Sequence, residues 1–248
     1  MNYSACRVLS NRNLSDDYFL LEVARGDTSG DAAGDAVKMG QFFMIRAWGH
    51  EPVFSRPLSV YDAGSGSVAF VYRMIGRGTK MFAALKSDDP ISILGPLGNS
   101  FPESKGKVAL VGGGAGIAPL YLAAKQIKAA NPESQVDVFL GFNGKTFLVK
   151  EFENAATCVI VNVGGFITDE IDPKGYDQIL SCGPEIMMKV LYEKCRSTRA
   201  SARVYVSLES RMACGVGACY VCSRLIGGSN KKICKDGPVF PAEEVFFS

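Results

Sequence analysis

The chain has 248 residues, 47% hydrophobic and 21% charged, which excludes a disordered or fibrous polymer and leaves room for two domains. Its 27 Lys and Arg against 25 Asp and Glu leave a formal charge of +2, so no electrostatic field favours nucleic acid or an anionic membrane as partner. The single histidine, His50, excludes a three-histidine zinc centre.

The opening Met1-Asn2-Tyr3-Ser4-Ala5-Cys6-Arg7 lacks the order of a secretory signal. The longest apolar stretch, Val108 to Ala124, is broken by glycines and a proline, so it reads as a strand and a helix start, not a membrane span. A cytoplasmic chain is expected. Up to about residue 101, short apolar runs alternate with turn residues: Tyr18 to Val23, Gln41 to Arg46 and Ser67 to Tyr72. That pattern predicts an antiparallel barrel or sandwich, with a polar surface loop over Gly26 to Gly40 and a short helix over Thr79 to Lys86.

The pattern then changes. Lys107 to Val111 reads as a buried strand, followed by glycines and a helix from Pro119 to Ala130 that Asn131-Pro132 ends. Strands are predicted at Gln135 to Gly141, Thr157 to Val161, Gln178 to Cys182 and Arg203 to Leu208, with a helix from Pro184 to Ser197. The alternation predicts a parallel α/β sheet. After Glu209 the periodicity stops and a glycine- and cysteine-rich tail begins. The expected organisation is a β-domain over 1–101, an α/β domain over 102–208 and a cysteine module over 209–248.

Four of the eight cysteines crowd into that module with the spacing Cys214-x4-Cys219-x2-Cys222-x11-Cys234. The first three match the plant-type ferredoxin spacing for a [2Fe–2S] cluster, and thiolates are the soft ligands iron–sulfur clusters take. Gly215, Gly217 and Ala218 let the loop fold tightly. Zinc is the rival, although its structural sites usually pair two short cysteine hooks; free or disulfide-bonded cysteines are a third reading. Cys6, Cys158, Cys182 and Cys195 read as small buried hydrophobes.

Two glycine turns stand at expected strand ends. Gly112-Gly113-Gly114-Ala115-Gly116 opens a helix, where a pyrophosphate could dock, but it does not fit G-x-G-x-x-G and no acidic residue caps the next strand. Ser181-Cys182-Gly183-Pro184 occupies the corresponding place on a later strand, where such a turn lines a ligand crevice. The bland alternative for the first is a tight strand–helix turn. In the β-domain, Arg56-Pro57-Leu58-Ser59 offers a guanidinium fork beside a stiff proline. Tyr72-Arg73 precedes Gly76-Arg77-Gly78-Thr79-Lys80, a second glycine-plus-helix anion site.

These residues together resemble the ferredoxin–NADP reductase superfamily, whose flavin signature Arg-x-Tyr-Ser/Thr is carried by Arg56, Leu58 and Ser59, with Leu58 in place of the tyrosine. Leu94 to Phe101 is similar to that family's inter-domain turn. The run Glu209 to Cys222, then Cys234 to Phe240, is similar to the electron-transfer subunits of NAD-linked dihydroorotate dehydrogenases. The resemblance implies an FAD-binding β-barrel, an NAD-binding α/β domain and a small [2Fe–2S] module. It implies FAD contacts at Arg56, Pro57, Leu58, Ser59, Val71, Tyr72, Arg73, Gly78 and Thr79. NAD, a diffusible co-substrate, would meet Gly113, Gly114, Gly116, Cys182, Gly183 and Pro184, and the cluster would bind Cys214, Cys219, Cys222 and Cys234. The implied partner is an FMN-containing dihydroorotate-oxidising subunit, two of each forming a heterotetramer, with electrons passing from FMN through the cluster and FAD to NAD. No general base is assigned to this chain. The competing expectation is an NAD(P)H-linked subunit of another flavoprotein complex, of the ferredoxin:NADP transhydrogenase or hydrogenase type. NAD is favoured over NADP because Asn143-Gly144-Lys145 brings no arginine cluster for a 2′-phosphate.

Overall fold

A computed structural model describes residues 2–25 and 37–246. Most of the loop expected over Gly26 to Gly40 lies outside the described residues.

Six strands close an antiparallel barrel: β1 (Ser4–Ser15), β2 (Tyr18–Ala24), β3 (Phe42–Arg46), β4 (Arg56–Ala63), β5 (Ser67–Arg73) and β6 (Pro90–Leu97), in the spatial order β1-β2-β5-β4-β3-β6. The interior follows the two-residue period of a strand: Val68, Phe70 and Tyr72 of β5 point in and pack with Leu21, Val23, Phe43 and Ile45. Helix α1 (Arg77–Ala83) begins two residues before the expected Thr79. The Thr79 hydroxyl accepts the Gly76 N–H at 3.0 Å and so draws the turn before it into the helix start. Phe82 of α1 is fully buried; it stacks on Trp48 at 5.3 Å and meets Tyr72 edge-on at 5.7 Å.

The second layer contains β7 (Lys107–Gly113), α2 (Ala118–Ala130), β8 (Gln135–Phe142), α3 (Val149–Ala155), β9 (Cys158–Val163), β10 (Gln178–Cys182), α4 (Glu185–Ser197) and β11 (Arg203–Ser207). The five strands pair in parallel in the order β11-β10-β7-β8-β9. Central β7 is apolar on both faces, as a strand covered on both sides must be. Val108 and Leu110 join the core under α2, and Ala109 and Val111 join the core under α4.

The tail folds as a hairpin of β12 (Ser223–Ile226) and β13 (Ser229–Lys232), then α5 (Ile233–Asp236), β14 (Val239–Pro241) and α6 (Ala242–Phe246). Strand β14 lies antiparallel beside β11, pairing Val206 with Phe240. The sheet therefore regains a strand from within the segment expected to be cysteine module alone. The barrel meets the α/β layer through Tyr61 of β4, stacked on Tyr121 of α2 at 4.4 Å, and through Lys125 Nζ at 2.6 Å from Asp62.

Candidate functional site

The chain builds β7, β8 and β9 outward, then returns to place β10 on the other side of β7. The strand order thus reverses between β7 and β10, where open α/β sheets leave a ligand crevice at the carboxyl edge. Both glycine turns end on that edge and touch each other. A Cβ on Gly113 would meet Met187 Sδ at 3.0 Å and Pro184 Cδ at 3.1 Å, one on Gly183 would meet Gly113 N at 2.9 Å, and one on Gly116 would run into the backbone of Cys182 and Gly183. Gly114 takes φ +56° and Gly183 φ +143°. The six expected nucleotide residues therefore line one seam. The Cys182 side chain is buried there, and burial followed by the charge of Glu209 pushes its thiol up strongly. Glu209 keeps access to solvent but is walled by protein on most sides, and this loss of surrounding water raises its carboxyl.

On the barrel side, the Arg56 guanidinium lies directly over Gly78, where a Cβ would come within 2.8 Å of Nε. Arg56 Nη1 donates to the Phe54 carbonyl at 2.6 Å, and the group stands 5.5 Å from the Trp48 ring centroid. Arg56 and the start of α1 thus converge, as a flavin pyrophosphate requires. The Thr79 hydroxyl is already engaged: it accepts from Ile75 and Gly76 N–H and donates to the Gly76 carbonyl, each at 3.0 Å. Its hydroxyl is therefore occupied within the chain, and its backbone N–H is the donor left at the helix start. The side chains of Val71 and Tyr72 are buried on opposite faces of β5, with the Tyr72 hydroxyl donating to Asn11 Oδ1 at 3.2 Å. What these two residues offer a ligand is main chain. Pro57, Leu58 and Ser59 are half-buried along β4, and Arg73 is exposed at the end of β5 and paired with Asp17 at 2.6 Å.

The cysteine loop sits between the barrel and α5. Gly215, at φ +73°, lies against Met44 and Leu97, and Gly217, at φ +82°, against Lys235. Among the described residues, no three His, Cys, Asp or Glu side chains converge on one metal-ion position. The thiols instead form two touching pairs: Cys214 with Cys219 towards the surface, and Cys222 with Cys234 buried behind. Two pairs fit the two irons of a [2Fe–2S] cluster. Backbone N–H groups already aim at the sulfurs. Val216, Ala218 and Cys219 donate to Cys214 Sγ at 3.3–3.5 Å, and Gly217 donates to Cys234 Sγ at 3.1 Å. Burial raises the Cys214 thiol, but the N–H groups of Val216 and Cys219, the Cys219 side chain and the Ala218 N–H outweigh it and bring it down to about 6. Burial and the neighbouring Cys222 push Cys234 up to about 12. A cavity of about 470 Å³, lined in part by Pro96, Asn99, Val216 and Cys234, separates the loop from the inter-domain turn. Another of about 480 Å³, bounded by Arg196, Arg199 and Arg203, lies at the opposite end of β11, remote from these turns.

Sequence reasoning missed Tyr18, Trp48 and Asn99. Asn99 is a clasp: its amide donates to the Val239 carbonyl at 2.8 Å and its Oδ1 accepts the Val239 N–H at 2.9 Å. It ties the inter-domain turn to the strand that follows the last cysteine. Its place in Leu94 to Phe101 was the only signal.

Comparison with known proteins agrees with this geometry. Residues 209–246 match the family model described as the iron–sulfur cluster binding domain of dihydroorotate dehydrogenase B. The electron transfer subunit of dihydroorotate dehydrogenase B (NAD(+)) from Clostridium acetobutylicum is 38% identical over 99% of this chain and 98% of its own length. The chain belongs to that family. The Clostridium perfringens electron transfer subunit is 42% identical over 85% of this chain and 88% of its own. Among solved structures, an NADH-dependent reduced ferredoxin-NADP oxidoreductase superposes with a TM-score of 0.84 at 32% identity, over 97% of this chain and 89% of its own. A ferredoxin reductase of carbazole 1,9a-dioxygenase, at TM-score 0.65 and 22% identity over 82% of this chain and 66% of its own, shares the fold. This electron-transfer subunit joins barrel, α/β layer and cysteine loop in one chain. Among the described residues, no helix is long and apolar enough to cross a membrane.

Proposed function

We propose that this chain relays electrons in pyrimidine biosynthesis between the FMN of a dihydroorotate-oxidising partner subunit and NAD, through a [2Fe–2S] cluster and FAD that it holds itself. Bound FAD supplies the exchange between the two-electron hydride of a nicotinamide and the single electrons of a cluster. The chain's own residues bind and position. Arg56 and the backbone at Gly78 and Thr79 hold the flavin pyrophosphate, and Gly113, Gly114, Gly116 and the Cys182-Gly183-Pro184 turn hold NAD. Cys214, Cys219, Cys222 and Cys234 hold the cluster, with the loop's N–H groups directed at the sulfurs of Cys214 and Cys234. No residue acts as a general base, since proton removal from dihydroorotate falls to the partner.

One observation carries this reading: Cys182 of the nucleotide turn pairs with Ser207 at the end of β11, and the chain runs from there through Glu209 into the segment that reaches Cys214. The two-electron and one-electron ends are thus joined by a short stretch of chain. The partner would cover the surface around Val216, Tyr220 and Val221, which are 40%, 64% and 54% exposed. The likeness to the ferredoxin-NADP oxidoreductase favours one other reading, a subunit of a ferredoxin-linked complex with the same internal layout. Mixing separates them. The chain alone should reduce dyes with NADH, and adding a dihydroorotate-oxidising FMN subunit should create NAD-dependent dihydroorotate oxidation that vanishes in Cys219→Ser. Full coupled turnover in that variant, or turnover of dihydroorotate by the chain alone, would refute the relay.

A further inference from the structure

Tyr18, the first residue of β2, belongs to the barrel by sequence but its hydroxyl stands in the nucleotide seam. A Cβ on Gly114 would lie 3.1 Å from the Tyr18 hydroxyl oxygen, and Gly114 holds the left-handed φ of +56° that keeps the space open. The ring is fixed on both sides. Phe147, in the loop between β8 and α3, packs on it with centroids 4.6 Å apart and planes tilted by 30°. The Arg73 guanidinium lies 5.7 Å from its centroid and is itself held by Asp17 at 2.6 Å. Among the described residues, the Tyr18 hydroxyl has no hydrogen-bond partner; it is a protonated donor, its pKa raised by burial, lowered by Arg73 and raised again by the carboxylates of Asp17 and Glu209. A rigidly held donor with no partner, aimed at the glycine turn that opens α2, is poised for an anion.

We propose that the Tyr18 hydroxyl reaches across the domain seam and donates a hydrogen bond to the pyrophosphate of the dinucleotide bound at Gly113–Gly116. The proposal rests on the reading that NAD docks at that turn, and it makes the barrel a contributor to nucleotide affinity. Arg73, one ring-width behind, is paired with Asp17, and Glu209 also faces the hydroxyl, so the contribution proposed here is the donor itself and not a positive field.

The test is Tyr18→Phe, which keeps the ring against Phe147 and Arg73 and removes only the hydroxyl. Binding of NAD, ADP-ribose and adenosine to the FAD- and cluster-loaded protein is measured by titration calorimetry. A hydrogen bond to a charged group predicts that NAD and ADP-ribose each bind ~10-fold or more weakly in the variant. Adenosine, which has no phosphate, should bind the two proteins alike, and flavin and iron contents should be unchanged. Equal affinity of variant and wild type for ADP-ribose would overturn the proposal. So would an equal loss for adenosine, or a loss of FAD, which would give the hydroxyl to the flavin. If the wild type itself binds neither NAD nor ADP-ribose, the nucleotide assignment falls, and this inference with it.

Discussion

The guanidinium of Arg56 occupies the space that a side chain at position 78 would fill: a Cβ on Gly78 would lie 2.8 Å from Arg56 Nε and 2.9 Å from Cζ. Gly78 leaves the space that Arg56 occupies, and on the proposed reading Arg56 holds the flavin pyrophosphate. In Gly78→Ala the methyl should push the guanidinium off the Phe54 carbonyl and away from the turn. A charged hydrogen bond is worth about 1.5–3 kcal/mol, so FAD affinity should fall ~10-fold or more while the fold survives. Flavin retained after extended dialysis, compared with Arg56→Ala and Arg56→Lys, is the measurement. Undiminished FAD in both alanine variants would remove the site.

The contact between the two glycine turns makes a sharper prediction. At Gly116 the obstacle is the Cys182 carbonyl and the Gly183 backbone, which cannot swing aside as a flexible side chain could. Gly116→Ala should force the turns apart, at about 1–3 kcal/mol of stability, and weaken NAD. Gly144→Ala, where a Cβ meets nothing within 4 Å, is the control and should melt like wild type. Thermal melts and NAD titration of both variants decide the matter.

The cluster ligands should behave as a set. Serine for Cys219 or Cys222 exchanges a soft thiolate for a harder oxygen, so iron and sulfide should be lost or become labile. The cysteine loop should loosen with them, because ligand binding and local folding are coupled. Cys158, expected to be buried, instead lies exposed at the start of β9, and Cys158→Ser should keep its iron. Iron and sulfide analysis with visible absorbance reads this directly; full, stable clusters in both Cys219→Ala and Cys222→Ala would sink the assignment.

Nucleotide preference has a handle in the barrel. Lys145, beyond the end of β8, pairs with Asp16 in the β1–β2 turn at 3.3 Å, both side chains being exposed. That pairing occupies the one cation in Asn143-Gly144-Lys145 that could meet a 2′-phosphate. Exposed pairs are weak, so Asp16→Ala should raise NADPH use relative to NADH by only ~3-fold, and Lys145→Ala should leave NADH unaffected. The ratio of kcat/KM values for the two donors measures this.

The parts of the molecule that showed in the sequence are those where local chemistry dominates. Strand β10 matches its predicted Gln178 to Cys182, and α2 starts one residue before its predicted proline, because buried apolar runs and helix punctuation are local signals. Strand β1 did not show. Its pairing slips between Val8 and Ser10 and again between Asn13 and Ser15, and each irregularity breaks the alternation a reader would look for. Strand β14 is only Val239–Pro241, too short to carry a period. At the site, cysteine spacing and glycine turns were visible because each is contiguous. Tyr18 was not, since its role depends on a residue 96 positions away in the sequence, Gly114.

Strands β11 and β14 bracket the cysteine loop, and Asn99 clasps its exit. The loop is thus a span fixed at both abutments, not an arm on a hinge. Carriers that ferry electrons by swinging are slowed by thickened solvent, whereas a fixed span hands them on at a separation set once by folding. Turnover of the assembled complex should accordingly be indifferent to added viscogen in every step except the arrival and departure of its diffusing substrates.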